Sequence, residues 1–354
     1  MQIPDGQEDI TVEWIRECLP QGLEAISVTP IGEGVGIFGR LYQVSLSWDG
    51  DDNGRPASVI VKLPCPESEN RAVAQALRLY EREVMFFKEV APHTALRTPH
   101  CYAAELQDQI FVIVMEDLSK HLMPGDQIVG ANYQQAEAFI DSLVELHATW
   151  WQDDRLAALE WMPCIDAPDN LASVPGIFHS CVEPLESWRA RLPAGSIELC
   201  RRLDPHFETL MRALGTGPTS VAHGDARWDN VFFSDTSPME IGLIDFQICF
   251  RAKGVHDMAY FICSSLQLEE HPRWQSLLQH WYDGIMARGI EYDWQDCVKH
   301  YKQSALYTLA APLSMVGLFD TGNERGSEML RVYLERIFRH LLDIGVEDVL
   351  AELE

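Results

Sequence analysis

Alternation of apolar and polar side chains predicts a strand with one buried face near the start of the chain. Between Tyr42 and Trp48 every second residue is apolar, and the residues between them are Gln or Ser. A period of two places the apolar side chains on one buried face of a strand. Four further β-rich runs predict the other strands of an antiparallel sheet: residues 25–31, 58–63, 100–106 and 109–115.

Helical periodicity accounts for most of the remaining chain. It predicts a short helix at residues 9–19, one helix at 70–90 that ends before Pro92, and mainly helical structure from Asn132 onward. Short strands are expected near residues 219–222, 231–233 and 240–245. The pattern predicts an α+β fold with a small antiparallel β lobe carrying one helix (residues 1–116) and a larger, mainly helical lobe (residues 117–354).

Charge and cysteine content restrict the possible functions. The 354 residues carry 54 acidic and 27 basic side chains, a formal net charge of −27. Such a surface repels phosphate backbones, so no nucleic-acid partner is expected. The charge could favour a cationic substrate or simply give solubility. Nine scattered cysteines without a CxxC pair indicate free thiols in a reducing cytosol. We expect a cytoplasmic protein with no membrane association and no obligate protein partner.

A glycine-rich segment and a strand lysine are the first candidate chemistry. Gly34, Gly36 and Gly39 form a G-x-G-x-x-G pattern between two predicted strands. There it fits a loop that folds over nucleotide phosphates, or a simple glycine-rich turn. Lys62, in the strand VIVKL, resembles the lysine that contacts the α- and β-phosphates in protein kinases. A lysine in an apolar strand needs a counter-charge, and we expect Glu83 rather than Glu81 to supply it.

The segment VAHGDARWDNVFF at 221–233 is the strongest motif. Asp225 is placed to accept or orient the proton of an attacking hydroxyl, and Arg227 could stabilise a transferred phosphoryl group. Asn230 and Asp245, the latter at the end of the next apolar strand, are the oxygen ligands that Mg²⁺ uses in phosphoryl transfer. Each could be an ordinary turn residue, but their order after a glycine loop and a strand lysine predicts ATP and Mg²⁺ as cofactors.

The loop HGDARWDN resembles that of the aminoglycoside phosphotransferase and choline kinase superfamily, in which Gly replaces the Arg of protein kinases. Three further segments make the sequence most similar to the ecdysteroid kinase-like group: IVMEDL at 113–118, LHATW at 146–150, and GVHDMAYFI at 254–262 together with Gln247. The resemblance spans about residues 32–262. It implies a protein-kinase-like two-lobed fold.

The resemblance also implies roles for individual residues. Met115 and Glu116 would lie in the segment whose backbone binds adenine. Asp257 would steady the catalytic loop, and His223 would position it rather than act as a base. His147 would be packed rather than catalytic. No Ala-Pro-Glu segment follows Asp245, which argues against a peptide substrate.

The function expected from these residues is transfer of the γ-phosphate of ATP to a hydroxyl of a small organic molecule. The acceptor would lie near the helices at 130–215 and 265–340, where seven tryptophans could line an apolar pocket or belong to the core. One alternative is a catalytically idle, kinase-like nucleotide-binding module. Another is a zinc hydrolase using His223, Asp225 and His256, although no HExxH-type spacing is present.

Overall fold

Two compact units make up the chain. The computed structural model describes residues 2–19, 21–32, 38–50, 54–318 and 324–354. One unit consists of Met1–Met123 with Gly242–Ile248, and the other of Pro124–Ile241 with Cys249–Glu354. The first unit therefore extends past residue 116 and takes in a segment from late in the chain.

A five-stranded antiparallel sheet forms the centre of the first unit. Its strands are β1 (Leu23–Ile31), β2 (Gly39–Trp48), β3 (Ser58–Pro64), β4 (Cys101–Gln107) and β5 (Ile110–Glu116). They lie in the order β1-β2-β3-β5-β4. The apolar side chains that alternate along β2 are buried, and they share a core with Val59 and Val61 of β3 and with Trp14 of the short helix α1 (Val12–Ile15). The predicted strands and their buried face are confirmed.

The helical part of the first unit differs from the prediction. Instead of one helix at 70–90 there are α2 (Ser68–Ala76) and α3 (Leu79–Met85), followed by a π-helical turn at Phe86–Val90. The break falls at Arg78, which has a left-handed φ of 55°. After the break a different face is buried, because Leu77 is 39% exposed whereas Tyr80 and Val84 are buried. Periodicity alone does not reveal such a rotation.

Short strands near the centre of the chain carry the predicted motifs. They are β6 (Met123–Pro124), β7 (Ser220–Ala222), β8 (Val231–Phe233), β9 (Ile241–Leu243) and β10 (Phe250–Ala252). In the second unit, β7 and β10 pair antiparallel. The residues between β7 and β8 form the loop 223–230, so the expectation of short strands on both sides of this motif is confirmed.

Helices dominate the second unit. They are α4 (Tyr133–Thr149), α5 (Pro168–Val182), α6 (Ser196–Leu203), α7 (Phe207–Gly215), α8 (Val255–Ser265), α9 (Trp274–Ala287), α10 (Trp294–Tyr307), α11 (Ala310–Leu318), α12 (Glu324–Ile344) and α13 (Glu347–Leu353). The start of α4 is fixed by a capping box in which Asn132 and Gln135 each bond the other's backbone amide. Every residue of α8 is buried, which makes it the central helix of this unit.

Four of the seven tryptophans considered for an acceptor pocket are explained by packing. Trp150, Trp161 and Trp281 are almost fully buried, and the indole of Trp274 stacks on Tyr301 with ring centroids 4.9 Å apart. Packing therefore explains these four side chains. Across the described ranges, no helix is both long and apolar enough to span a bilayer.

Candidate active site

A buried lysine lies between two carboxylates in the first unit. The Nζ of Lys62 is 2.7 Å from both carboxylate oxygens of Glu83 and 2.8 Å from Oδ1 of Asp245. Lys62 and Glu83 are only 6% and 1% exposed, whereas the Asp245 side chain is 21% exposed. We call these three residues the Lys62 cluster. The predicted pairing of Lys62 with Glu83 is present, and Glu81 instead pairs with Arg78.

Local structure brings the cluster together. Lys62 lies in β3, with Leu41 of β2 and Ile113 of β5 as its neighbours across the sheet. The chain restarts as α3 after Arg78, and this helix buries Glu83. A Cβ atom at Gly39 would lie 3.2 Å from Cε of Lys62. The absence of a side chain at position 39 therefore leaves room for the lysine.

Electrostatics keep the Lys62 ammonium charged. Burial alone would lower the pKa of Lys62, but the carboxylates of Asp245 and Glu83 outweigh it, and the net shift is upward. Burial raises the pKa of Glu83 to about 7, and the attraction of Lys62 opposes this only in part. When all three groups are ionised, one positive charge faces two negative charges. In that state the cluster has an excess negative charge, beside its most exposed member, Asp245.

Asp245 adopts an unusual backbone conformation. Its φ of 67° is in the left-handed region, which costs a non-glycine residue of order 1 kcal/mol. The next residue, Phe246, stacks on Phe86 with ring centroids 3.6 Å apart and an interplanar angle of 7°. This buried stacking stabilises the turn, so that packing holds the Asp245 carboxylate at the lysine.

The structure places Met115 and Glu116 at the end of β5. Met115 pairs with Ile60 of β3. The Glu116 amide donates to the His100 carbonyl at 2.8 Å, and the Glu116 carboxylate accepts two hydrogen bonds from Arg97, at 3.1 and 2.8 Å. The side chain of Glu116 thus has a structural partner. Of the three predicted loop glycines, Gly39 begins β2, whereas Gly34 and Gly36 lie outside the described residues.

In the second unit, the loop 223–230 is held by Asp257 of α8. The Asp257 carboxylate accepts hydrogen bonds from the amides of His223 (2.7 Å) and Gly224 (3.0 Å). Gly224 has a φ of 83°, a conformation that glycine adopts without strain. The expectation that Asp257 steadies this loop is confirmed.

Asp257 is itself anchored by a buried chain of hydrogen bonds. The indole Nε1 of Trp281 donates to Nδ1 of His147 at 3.0 Å. His147 Nδ1 is therefore an acceptor, and Nε2 carries the proton donated to Asp257 at 3.0 Å. Burial alone would raise the pKa of Asp257, but the hydrogen bond from His147 is the main opposing effect, and the net result is a pKa lowered to about 2. His147 is packed, as expected.

The Asp225 carboxylate is contacted by an ion-pair partner and a hydrogen-bond donor of its own loop, and by a hydrogen-bond donor of α8. Its Oδ2 lies 3.1 Å from Nδ2 of Asn230 and 3.2 Å from Nε of Arg227. Its Oδ1 accepts a hydrogen bond from the Tyr260 hydroxyl at 2.7 Å. The Asp225 side chain is still 11% exposed. The Asp225 carboxylate raises the pKa of Arg227 against the effect of burial, so the guanidinium remains charged beside it.

The arrangement does not support the zinc alternative. Nδ1 of His223 accepts a hydrogen bond from the Asp225 amide at 3.2 Å, and the His256 ring packs against Phe250 and Tyr307. Burial lowers the pKa of His256 to about 4. In the part of the chain that the structure describes, no group of three or more His, Cys, Asp or Glu side chains could hold a metal ion.

Comparison with known families identifies the chain. Its sequence matches the ecdysteroid kinase-like family over residues 34–151 and 178–288, which include Lys62, Glu83, Asp225 and Asp245. The chain belongs to the ecdysteroid kinase-like family. As a member it is a small-molecule kinase, a phosphotransferase with an alcohol group as acceptor.

Solved structures support the fold of this ecdysteroid kinase-like protein. The choline kinase from Cryptosporidium parvum Iowa II is 12% identical, covers 97% of this chain and 98% of its own, and has a TM-score of 0.60. The Plasmodium vivax ethanolamine kinase is 13% identical over 92% and 86% of the two chains, with a TM-score of 0.53. The GDP and kanamycin complex of the aminoglycoside phosphotransferase APH(2")-IIIa is 15% identical over 91% and 96%, with a TM-score of 0.54. The predicted α+β, protein-kinase-like fold is confirmed. No curated protein matches the sequence directly.

Two contributors to the candidate site were not anticipated in this ecdysteroid kinase-like chain. Asp117 accepts hydrogen bonds from the amide and hydroxyl of Ser119 and from Ser58 and Gln43, so it fixes the segment after β5. Asp is a preferred residue before the first turn of a helix, so the capping role of Asp117 could have been predicted from the sequence. Tyr260 lies three residues after Asp257 in α8, a spacing that puts both side chains on one helix face.

Proposed function

We propose that this protein transfers the γ-phosphate of ATP to a hydroxyl group of a small organic molecule, with Mg²⁺ as the metal. The observation that carries the proposal is the Lys62 cluster. A buried, charged lysine that faces two carboxylates, one of them partly exposed, is the arrangement expected of a phosphate-binding lysine beside a metal ligand. The neighbours solved as GDP complexes add support for nucleotide binding.

The nucleotide is assigned to residues of the first unit. Lys62 would contact the α- and β-phosphates, with Glu83 orienting it, and Gly39 would let the backbone approach the phosphates together with Gly34 and Gly36. The adenine would bind backbone groups near Met115 and Glu116. The Glu116 amide already donates to His100, so other backbone groups of this segment would have to serve.

The oxygen ligands that we propose for magnesium come from Asp245 and Asn230. Asp245 offers a partly exposed carboxylate in a cluster with excess negative charge. Asn230 donates through Nδ2 to Asp225, which leaves its amide oxygen as the group that could ligate a metal. Hard oxygen ligands, few in number, are those that Mg²⁺ prefers. The bound ion would neutralise the charge of the phosphates.

Asp225 and Arg227 are assigned to the acceptor step. Asp225 would orient the acceptor hydroxyl and take its proton as the acceptor oxygen bonds to the γ-phosphorus. The bond between that phosphorus and the β,γ-bridging oxygen breaks, and ADP leaves. The charged Arg227, 3.2 Å from Asp225, would stabilise the negative charge of the phosphoryl group.

The first experiment measures nucleotide binding by thermal unfolding. ATP with Mg²⁺ at a hundredfold over Kd should stabilise the protein by about 2.7 kcal/mol. Asp245→Asn should reduce this stabilisation because it removes the carboxylate ligand, whereas Asp225→Asn should keep it. The exposed Asp235 gives a matched control, Asp235→Asn. A lack of stabilisation by ATP, GTP and Mg²⁺ at millimolar concentration would refute the proposal.

The second experiment measures turnover. An ecdysteroid, choline, ethanolamine and kanamycin, the compounds suggested by the family and its structural neighbours, form the first acceptor panel, with a generic protein as comparison. Asp225→Asn should lower kcat by about 10²–10⁴-fold because it removes the proton acceptor. ATP binding without turnover on any alcohol would favour the idle module, and phosphorylation of the protein alone would overturn the small-molecule assignment.

Cellular location belongs to the same proposal. All nine cysteines are free thiols, which fits a reducing cytosol. Fractionation of cells that express the tagged protein would test this, and recovery with oxidised, disulfide-bonded cysteines would contradict it.

A further inference from the structure

Two buried tyrosines form a hydrogen-bonded chain that ends at Asp225. The Tyr333 hydroxyl of α12 donates to the Tyr260 hydroxyl of α8 at 2.5 Å, and Tyr260 donates to Oδ1 of Asp225 at 2.7 Å. Both phenol rings are almost fully buried, and all three residues belong to the second unit. A hydrogen bond from a neutral hydroxyl to a carboxylate is among the stronger kinds in proteins.

We propose that Tyr260 is a positioning residue for Asp225 and that Tyr333 acts through Tyr260. The inference rests on the proposed role of Asp225 in orienting the acceptor hydroxyl. Asn230 and Arg227 hold one carboxylate oxygen and Tyr260 holds the other, so rotation of the carboxylate would break contacts on both sides. A carboxylate accepts about four hydrogen bonds, and the two hydrogen bonds from Asn230 and Tyr260 leave room for a substrate hydroxyl.

The tyrosines orient the carboxylate and do not relay its proton. Burial raises the pKa of Tyr260 well above its ordinary value, and the charge of Asp225 raises it further. Burial likewise raises the pKa of Tyr333. Both phenols therefore keep their protons, and Tyr260 remains a donor to Asp225 throughout the working pH range.

The position of Tyr333 is fixed by other contacts of α12. Arg336, three residues later, is buried and donates to the backbone carbonyls of Gln127, Ile128 and Val129. The Gln127 side chain in turn accepts a hydrogen bond from the Trp228 amide at 2.8 Å, within the loop 223–230. Helix α12 is thus tied to this loop by a second route, which holds the Tyr333 hydroxyl in place.

Removal of single hydroxyls tests the proposal. Tyr260→Phe keeps the ring but loses the donor, so kcat should fall on the order of tenfold to a hundredfold, with the KM for ATP unchanged. Tyr333→Phe should lower kcat less. The double variant should match Tyr260→Phe alone, because Tyr333 has no other route to Asp225 in the proposal. Tyr301→Phe is the matched control, since its buried hydroxyl bonds His340.

The assay uses ATP, Mg²⁺ and the panel alcohol that the wild type phosphorylates fastest, with thermal unfolding of each variant. Equal kcat in Tyr260→Phe and Tyr301→Phe would overturn the inference while leaving the proposed function intact. A further loss of kcat on adding Tyr333→Phe to Tyr260→Phe would overturn the coupling. If Tyr260→Phe does not fold, the kcat of Tyr333→Phe is compared with that of Tyr301→Phe. A lower kcat in Tyr333→Phe supports the inference, and equal values overturn it. If the wild type turns over none of the panel alcohols, the proposed function and this inference are refuted together.

Discussion

The ion pair of Lys62 and Glu83 should be strongly coupled, and its strength can be estimated from the structure. At 2.7 Å, the Coulomb attraction is about 6 kcal/mol for an effective dielectric constant of about 20. Loss of hydration costs several kcal/mol for each ion and offsets most of this gain. Removal of one partner leaves an unbalanced buried charge, which costs about 3–5 kcal/mol.

The two single variants should differ in a predictable way. The loss of unfolding free energy in Glu83→Gln should be near the low end of that range, because Lys62 still has the Asp245 carboxylate at 2.8 Å. Lys62→Met brings two carboxylates together without a cation. Because the pKa of Glu83 is already raised to about 7, stability in this variant should be present at acid pH and fall as the pH rises through 7.

A double-mutant cycle measured by denaturant unfolding tests the coupling. Combining Lys62→Met with Glu83→Gln should cost less unfolding free energy than the two single losses added together, by about 1–3 kcal/mol. Glu208 and Arg212 on α7 give the matched control, since they are also 2.7 Å apart but 51% and 60% exposed. That pair should couple by at most about 0.5 kcal/mol. Equal coupling in the two cycles would refute the argument that burial decides the strength.

Two further predictions concern the loop 223–230. The pKa of Asp257 is lowered to about 2 in the folded protein, so its stabilising contribution of about 2 kcal/mol should be present above pH 4 and be lost as the pH falls from 4 to 2. Acid unfolding of wild type and Asp257→Asn should therefore converge in that window, and parallel curves would contradict this. Gly125→Ala should destabilise the protein, because the new Cβ would lie 2.1 Å from the Trp228 carbonyl oxygen. The control Gly176→Ala, inside α5 with open space around it, should stabilise it by about 0.5–1 kcal/mol, as measured by thermal unfolding.

Local patterns were sufficient for much of the fold. The two-residue period of β2 identified its buried face, and the demand of a lysine in an apolar strand for a counter-charge pointed to Glu83. The sequence also placed Asp225 and Asn230 in one loop, five residues apart, and the structure brings their side chains within 3.1 Å. Each of these inferences depends on neighbours along the chain, where spacing translates directly into geometry.

Contacts between distant parts of the chain were not predictable in this way. Trp281 and His147 are 134 residues apart, and Tyr333 and Tyr260 are 73 apart. No periodicity links such pairs, because their approach depends on how whole helices pack. The break at Arg78 has the same origin, since good helix-forming residues surround it and tertiary packing selects a new face.

The buried anchoring of Asp257 has a consequence for the evolution of this protein. Trp281, His147 and Asp257 have essentially no solvent exposure, so the start of the loop 223–230, at His223 and Gly224, is held from the protein interior. Substitutions on exposed surfaces can then accumulate without disturbing the loop. A substitution at any of the three interior positions should instead displace the start of the loop, whichever acceptor the protein uses.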